Sequence, residues 1–415
     1  MGVRITADVL IPGKGNPVGD GTVILDGETI AYAGPTADAP PMSPGDSASH
    51  VPAVMPGIWE AHGHFVGSAI PDLEVMATAD PGTLVARATA DAAATINGGV
   101  TSVREVGGVG ISLKPVIEEG TIPGPRIYAG GSILSTTGGH ADIHGLPLDF
   151  VHSLEHRGFK FGELCDGVPS CLLAVRKQLR RGAQIIKICA SGGVLSEIDH
   201  PIHQQFSHEE LVAIVEEAAR AERIVAAHCH GKPGIVAALK AGVKTIEHGS
   251  YLDEESAEMM LEYDAILVPT RFVVAALLLM EDTLPAYAYR KGVMIAEEHA
   301  QAMKIAVAAG VKIAMGTDIF VSGPMYGKNS LEIKYLMDAG MTPLEAIEAA
   351  TATGPLTLGP QAPKSGQLRQ GYEADVIAFD VNPIEDASVW GDPDRVTHVW
   401  KAGKLVKEPV RSSRG

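Results

Sequence analysis

The sequence is poor in cysteine, in aromatic residues and in positive charge. Its four cysteines form no Cys-x-x-Cys pair and no regular spacing, which argues against a disulfide framework and a thiolate zinc site and favours a reducing compartment. Aromatic residues make up only 5% of the chain, so a core would consist mainly of aliphatic side chains. The formal net charge of -17 argues against a nucleic-acid partner, because phosphate binding needs clustered lysine and arginine.

Long hydrophobic runs and targeting signals are also missing. No run of about 18 apolar residues occurs, and no basic region followed by an apolar stretch opens the chain, so we expect no membrane contact and a cytoplasmic location. The sequence contains no Ser-His-Asp elbow motif and no Gly-x-x-x-x-Gly-Lys loop. Serine-hydrolase and phosphate-loop chemistry are therefore disfavoured.

The pattern of apolar runs predicts an α/β fold. The chain has 415 residues, enough for one large barrel and a small accessory domain. In its central part, eight β-like runs alternate with amphipathic helical segments, which is typical of a parallel sheet and points to a closed (β/α)8 TIM barrel. The eight runs are Val54–His64, Val100–Val106, Arg126–Ala129, Gln184–Cys189, Ile224–His230, Thr245–His248, Ala265–Pro269 and Lys312–Asp318.

Shorter β-like runs occur near both chain ends, at Ile5–Leu10, Thr22–Leu25 and Thr29–Ala33 and again at Ala374–Phe379, Val396–Trp400 and Lys404–Val406. They predict a small β-sandwich domain built from residues 1–55 and 366–415, around a barrel of residues 56–365. Residues 35–50 are expected to form a loop.

Several helix signals lie between the central runs. Ser207 with Glu210, and Thr342 with Glu345, match capping-box patterns. A helix is predicted over 289–309, after an apolar stretch at 272–280 that would line a pocket or an oligomer contact. We interpret residues 328–332 as a helix-capping segment.

The ends of the central runs carry the candidate chemistry. His62 and His64 end the first run, and because side chains alternate along a strand, both would lie on one side, where two imidazoles can share a metal ion. Taken alone, such a pair is at least as compatible with two surface histidines on a loop as with a metal site. His228 and His230 end the fifth run in the same way. His248 ends the sixth run and Asp318 the eighth, so four strand ends carry potential metal ligands.

Lys187 lies within the fourth run, where alternation directs it into the barrel. Burial disfavours its ammonium form, and a neutral amine can add carbon dioxide to give a carbamate able to bridge two metal ions. The alternative is a lysine that reaches the barrel mouth or pairs with Asp318 or Glu105.

On these residues the sequence resembles the amidohydrolase superfamily. The segments Lys187-Ile-Cys-Ala-Ser-Gly-Gly-Val194 and His203-Gln-Gln-Phe-Ser207 resemble the branch of imidazolonepropionase-related prolidases, Xaa-Lys/Arg carboxypeptidases and ochratoxin-degrading amidases. The resemblance implies that His62, His64 and Asp318 bind one metal, that His228 and His248 bind a second, and that carboxylated Lys187 bridges them. Zinc is the expected metal.

The resemblance also implies an activity. A hydroxide between the metals would attack an amide of a peptide or N-acyl amino acid with a free carboxylate, with Asp318 as proton shuttle and His140 at the scissile carbonyl. A loop-bracing role is the alternative for His140. His230, where the branch commonly has tyrosine, is expected to face substrate, and Arg271 with the backbone amides around Ser191 and Gly192 are candidate carboxylate binders.

Three other functions stay open at this point: a cyclic amidohydrolase of the imidazolonepropionase type, a phosphotriesterase-like hydrolase, and a catalytically silent barrel scaffold. Lys187 argues against the first, and the complete ligand set argues against the last. A homo-oligomer is expected from the resemblance.

Overall fold

The computed structural model describes residues 2–157 and 161–409. Its strands are β1 (Val3–Leu10), β2 (Val18–Asp26), β3 (Thr29–Pro35), β4 (Ser47–Pro56), β5 (Ile58–Gly63), β6 (Val100–Glu105), β7 (Arg126–Ala129), β8 (Ile133–Ser135), β9 (Gly162–Leu164), β10 (Ile186–Cys189), β11 (Val225–Cys229), β12 (Thr245–His248), β13 (Ile266–Val268), β14 (Lys312–Ile313), β15 (Val376–Phe379), β16 (Val396–Lys401) and β17 (Lys404–Lys407). Its α-helices are α1 (Leu73–Thr78), α2 (Pro81–Asn97), α3 (Gly110–Glu118), α4 (Leu148–Ser153), α5 (Val168–Arg180), α6 (His208–Ala219), α7 (Lys232–Lys240), α8 (Glu254–Glu262), α9 (Arg271–Leu277), α10 (Ala286–Ala309), α11 (Leu331–Asp338) and α12 (Pro343–Ala349).

Strands from both chain ends form one mixed sheet in the order β17-β16-β15-β4-β1-β2-β3. β1 runs parallel to β4, and β4 pairs antiparallel with β15, so the N-terminal and C-terminal segments meet at this pair. A separate apolar cluster fills this part of the molecule, with contributions from β1 to β4, β15 and β16. The predicted pairing of the two chain ends is confirmed, as a single seven-stranded sheet.

The central strands form two parallel sheets, in the orders β5-β6-β7 and β14-β13-β12-β11-β10-β8-β9. Hydrogen bonds join these sheets at two places. Gln184 N donates to Ala129 O over 2.8 Å, and Ala61 N donates to Met315 O over 2.9 Å. The predicted α/β fold with parallel strands is confirmed, and all eight predicted central runs contain a strand.

Two features of this region differ from the prediction. β8 and β9 were not predicted, because each has only three residues and no apolar periodicity marks them. The first predicted run is divided at Gly57, where β4 leaves the terminal sheet and β5 enters the parallel one. A Cβ at Gly57 would lie 2.1 Å from Thr101 Oγ1, so only glycine permits this close passage.

The helix signals gave mixed results. Both capping boxes are confirmed, at the starts of α6 and α12. Within residues 328–332, Glu332 caps another helix, because its carboxylate accepts hydrogen bonds from the backbone N–H groups of Arg271 and Phe272 at the start of α9. Ser330, the N-cap residue of α11, makes no side-chain cap hydrogen bond there. Its hydroxyl instead accepts a bond from Gly391 N, over 2.8 Å.

Candidate active site

A cavity that opens to solvent lies at the carboxyl ends of the parallel strands, with about 840 Å³ of empty space including its mouth. Its polar lining consists of His62, His64, His140, Lys187, Cys189, His228, His230, His248 and Asp318. These residues come from four strands and from four loops that follow strands, and parallel strands bring them together because their carboxyl ends share one edge. The geometry therefore gathers the six predicted metal ligands and two of the predicted substrate contacts in one place.

His62, His64 and Asp318 form a tight group at the end of β5. The Nε2 atoms of His62 and His64 lie 3.5 Å and 3.0 Å from Asp318 Oδ1. The other ring nitrogens point away from the cavity, since His62 Nδ1 lies 2.7 Å from Glu247 Oε2 and His64 Nδ1 lies 2.6 Å from Gly107 O. Partners of this kind fix the ring orientation of metal-binding histidines.

Behind His62 lies a buried ion pair that sequence reasoning missed. Arg104 and Glu247 are both fully buried, and Arg104 Nη2 donates to both carboxylate oxygens, over 2.7 Å and 2.8 Å. Thr245 Oγ1 donates to the same carboxylate over 2.6 Å. Strand alternation in Thr245–His248 was the signal available, because Thr245 and Glu247 share the face opposite Ile246.

Glu60 forms a second buried support that was missed. Its Oε1 accepts from the backbone N–H of His62 and of Thr317, each over 2.9 Å. Its Oε2 accepts from Thr317 Oγ1 and from Asn329 Nδ2, over 2.6 Å and 2.8 Å. The Glu60 carboxylate is therefore hydrogen-bonded both to the backbone at His62 and to the segment that leads into Asp318.

Four histidine rings pack together on the other side of the cavity. The ring centroid of His228 lies 4.2 Å from that of His140, 4.6 Å from that of His230 and 4.6 Å from that of His248. Three of these rings have a hydroxyl partner at Nδ1: Thr270 for His248, Ser250 for His230 and Ser196 for His140, each at 2.7 Å. Their Nε2 atoms are left for a ligand or substrate.

Burial favours the neutral form that metal binding requires at five imidazoles of this cavity, those of His62, His140, His228, His230 and His248. Burial lowers the pKa of His62 and of His140 to about 4, and that of His230 to about 3. Burial also places the pKa of His228 and of His248 well below the ordinary value.

Lys187 lies among these side chains and is 2% exposed. Its Nζ is fully buried and has no hydrogen-bond partner within residues 2–157 and 161–409. Burial lowers its pKa. The alternative of hydrogen-bonded pairing with Asp318 or Glu105 is therefore not realised, and an uncompensated buried amine needs another explanation.

The backbone is strained at three positions of the site. His248, Thr270 and Asp318 have φ values of 70°, 59° and 57°, in the left-handed region that non-glycine residues rarely adopt. Such strain costs about 1–3 kcal/mol at each residue and persists only where surrounding contacts enforce it. Strand alternation would place the His248 side chain on the same face as Ile246, but the left-handed backbone conformation directs it into the cavity.

The groups predicted to bind a substrate carboxylate are engaged by contacts within the fold. Arg271 is absent from the cavity lining, and its Nη1 donates to Ala296 O over 2.8 Å. The amide N–H of Ser191 donates to His228 O and that of Gly192 donates to His203 O. All three groups are used by contacts within the fold, which a local sequence pattern does not reveal.

The cavity walls are apolar and come from α1, α9, α10, β8 and several loops. They consist of Val66, Leu73, Met76, Ile133, Ala141, Phe161, Val194, Leu195, Val273, Val274, Leu277, Ile295 and Phe320. Three of them belong to α9, so the apolar stretch at 272–280 lines the pocket as predicted.

This fold and this cluster of histidines, Lys187 and Asp318 at strand ends point to a class of enzyme. Residues 53–406 match the model of the amidohydrolase family, and the chain belongs to that family. The prediction of a hydrolase acting on carbon–nitrogen amide bonds is confirmed by this membership, and the family is typically metal-dependent. No helix among the described residues is long and apolar enough to cross a membrane.

Individual relatives agree with the predicted branch. The chain is 45% identical over 421 residues to the ochratoxinase of Aspergillus niger, covering 98% of this chain and 86% of that protein. The crystal structure of that ochratoxinase is similar with a TM-score of 0.91 at 44% identity, covering 98% of this chain and 96% of that one.

Two further crystal structures resemble the whole chain. A prolidase complexed with N-methylphosphonate-L-proline has a TM-score of 0.91 at 33% identity, covering 98% of this chain and 100% of that one. A Xaa-Pro dipeptidase with methionine bound in its active site has a TM-score of 0.88 at 32% identity, with the same coverage of 98% and 100%.

Proposed function

We propose that this protein is a binuclear-metal amidohydrolase acting on peptides or N-acyl amino acids that carry a free C-terminal carboxylate. The observation that carries the proposal is the buried amine of Lys187, which has no hydrogen-bond partner among the described residues and lines the same cavity as six histidines and Asp318. A single buried amine in a histidine-lined cavity is costly unless it is modified or bound.

The donor set fits two divalent ions. His62, His248 and Asp318 each offer a ligand atom, and these atoms all lie within 4.8 Å of one another. Imidazole nitrogens and a carboxylate suit zinc. In the proposed assignment His62, His64 and Asp318 hold one ion and His228 and His248 hold the other. Lys187, whose neutral amine would add carbon dioxide and release a proton to give a carbamate, would offer its two carbamate oxygens to the two ions.

The chain's own residues orient the substrate and move the proton. When bound, such ions lower the pKa of water and polarise a carbonyl oxygen. Asp318 Oδ1, 3.0 Å from His64 Nε2, takes a proton from the attacking water and returns it to the leaving nitrogen. His140 donates from Nε2 to the carbonyl oxygen, because its Nδ1 is engaged by Ser196.

Cavity chemistry and relatives support the substrate class. The apolar walls suit a large acyl or side-chain group. An ochratoxinase, a prolidase and a Xaa-Pro dipeptidase are the relatives, and two of their structures hold ligands derived from proline or methionine. Since Arg271 and the amides of Ser191 and Gly192 are engaged within the fold, the predicted substrate contacts that line the cavity are His140 and His230.

An activity screen tests the proposal. Zinc-loaded enzyme is offered N-acyl amino acids and dipeptides, each beside its C-terminal amide. We expect the free acids to react with kcat/KM at least about tenfold higher, a difference of about 1.4 kcal/mol. Lys187→Ala should abolish most of this activity, whereas Lys240→Ala, at an exposed lysine, should not. Activity confined to lactams or phosphotriesters would contradict the proposal.

We further propose the arrangement of the chain around this site. Residues 56–365 form a closed (β/α)8 barrel, flanked by a β-sandwich domain of residues 1–55 and 366–415. The hydrogen bonds from Gln184 to Ala129 and from Ala61 to Met315 support closure, because they join the two parallel sheets. A homo-oligomer is also proposed, and light scattering on the purified protein tests it.

A further inference from the structure

Lys291, on α10, is surrounded by oxygen atoms of the loop formed by residues 193–199. Its Nζ donates to Ser196 O over 2.7 Å, to Gly193 O over 3.2 Å and, in a short contact, to Asp199 O. It also lies 3.4 Å from Asp199 Oδ1, and the side chain is only 13% exposed. An ammonium has three N–H donors, so the loop carbonyls use all of them.

The same loop supports His140. Ser196 Oγ lies 2.7 Å from His140 Nδ1. Asp199 Oδ2 lies 3.9 Å from that nitrogen and accepts from Gly193 N over 2.8 Å. A Cβ at Gly193 would lie 2.1 Å from His140 Cε1, so the loop backbone lies directly against the imidazole. Movement of the loop therefore moves His140.

The loop also forms part of the cavity wall, through Val194 and Leu195. A second side chain of α10 holds it there, because Tyr287 OH donates to Leu195 O over 3.2 Å. The wall and the support of His140 are thus both attached to one helix.

We propose that Lys291 is a positioning residue, which holds the 193–199 loop against α10 and so keeps His140 oriented toward the substrate carbonyl. Without its ammonium, three carbonyl oxygens would converge on a space with no donor, an arrangement that buried polar groups avoid. The loop would relax and release Ser196 from His140. This inference rests on the catalytic role proposed above for His140.

Steady-state kinetics of zinc-loaded Lys291→Met provide the first test. We expect kcat to fall by up to about 100-fold, the loss that a displacement of about 1 Å in an active site can cause, with a smaller change in KM. Lys304→Met is the matched control, since Lys304 is an exposed lysine on the same helix and its replacement should leave kcat unchanged. Lys291→Arg keeps the positive charge and should retain more activity than Lys291→Met.

A double-mutant cycle separates positioning from general loss of structure. In a His140→Asn background, Lys291→Met should cost no more than about twofold in kcat, because neighbouring residues that act together are not additive. An equal loss in both backgrounds, or a wild-type kcat for Lys291→Met beside a slow His140→Asn, would overturn the positioning role. A wild-type kcat for His140→Asn would instead overturn the proposed role of His140.

Chemical rescue tests the need for a cation at this position. Lys291→Ala should recover part of its kcat in ammonium or methylammonium chloride and not in sodium chloride of the same ionic strength. Equal rates in the three salts would contradict the inference.

Discussion

Replacing Glu247 with glutamine is predicted to weaken folding and metal binding together. The carboxylate accepts bonds from Arg104, Thr245 and His62, and neither it nor Arg104 reaches solvent. Removing one partner of a buried ion pair costs about 3–5 kcal/mol, because the other charge is left uncompensated. Loss of the acceptor behind a metal-binding histidine typically lowers metal affinity about 10- to 100-fold.

The pH dependence of this effect has a definite sign. Burial alone would raise the pKa of Glu247, but Arg104 and the hydrogen bond from His62 hold it well below its ordinary value. A carboxyl with a depressed pKa stabilises the fold above its unfolded pKa, about 4.3, and loses that contribution as the pH falls below it. The difference between wild type and Glu247→Gln should therefore be largest near neutral pH and shrink under acid conditions.

Denaturant unfolding followed by circular dichroism, with zinc affinity from competition with a chelator, measures both effects. Asp338→Asn is the control, because Asp338 pairs with Lys334 on an exposed helix surface and such pairs contribute less than about 1 kcal/mol. The reasoning is refuted if Glu247→Gln unfolds at the wild-type denaturant concentration and keeps wild-type zinc affinity.

Three further substitutions test separate parts of the account. Burial raises the pKa of Glu332 to about 8, so the folded state keeps this proton to a higher pH than the unfolded chain does. The free energy of unfolding of the wild type should therefore fall, relative to that of Glu332→Gln, as the pH rises from about 5 to 8. Parallel pH profiles of the two proteins in denaturant unfolding would contradict this. Gly193→Ala should lower kcat at least about 100-fold by displacing His140, while Gly19→Ala, where nothing lies within 4 Å, should not; equal kcat values would refute the contact. Leu277→Trp should raise KM for substrates with bulky acyl groups, because the larger side chain fills part of the cavity. Leu279→Trp is the control and should leave KM unchanged, because the Leu279 side chain is 88% exposed. Equal KM values for the two variants would show that α9 does not contact substrate.

Which strand-end residues line the cavity was predictable because strand alternation is a local property. His62 and His64 share one side of β5, and His228 and His230 share one side at the end of β11, so a period of two places each pair in the cavity. Lys187 follows from the same rule. The fold class followed from the alternation of strands and helices in the same way.

The supporting residues were not predictable, because they act across long sequence separations. Arg104 contacts Glu247 and Asn329 contacts Glu60, and nothing near either residue in the sequence indicates its partner. Arg271 is the converse case, a residue that was predicted to contact substrate but is not part of the cavity lining. A charged residue just after a strand was expected to face substrate, but the backbone N–H groups at the start of α9 are capped by Glu332 and the guanidinium turns to α10.

Metal content of active protein tests the central claim most directly. Purified enzyme is loaded with zinc, freed of excess metal and measured by mass spectrometry beside its amidase activity. We expect about two equivalents of zinc for wild type and at most about one for Lys187→Ala, with activity lost in parallel. Full amidase activity in protein that holds less than one equivalent of any divalent ion would contradict the claim that these six side chains form a two-metal site.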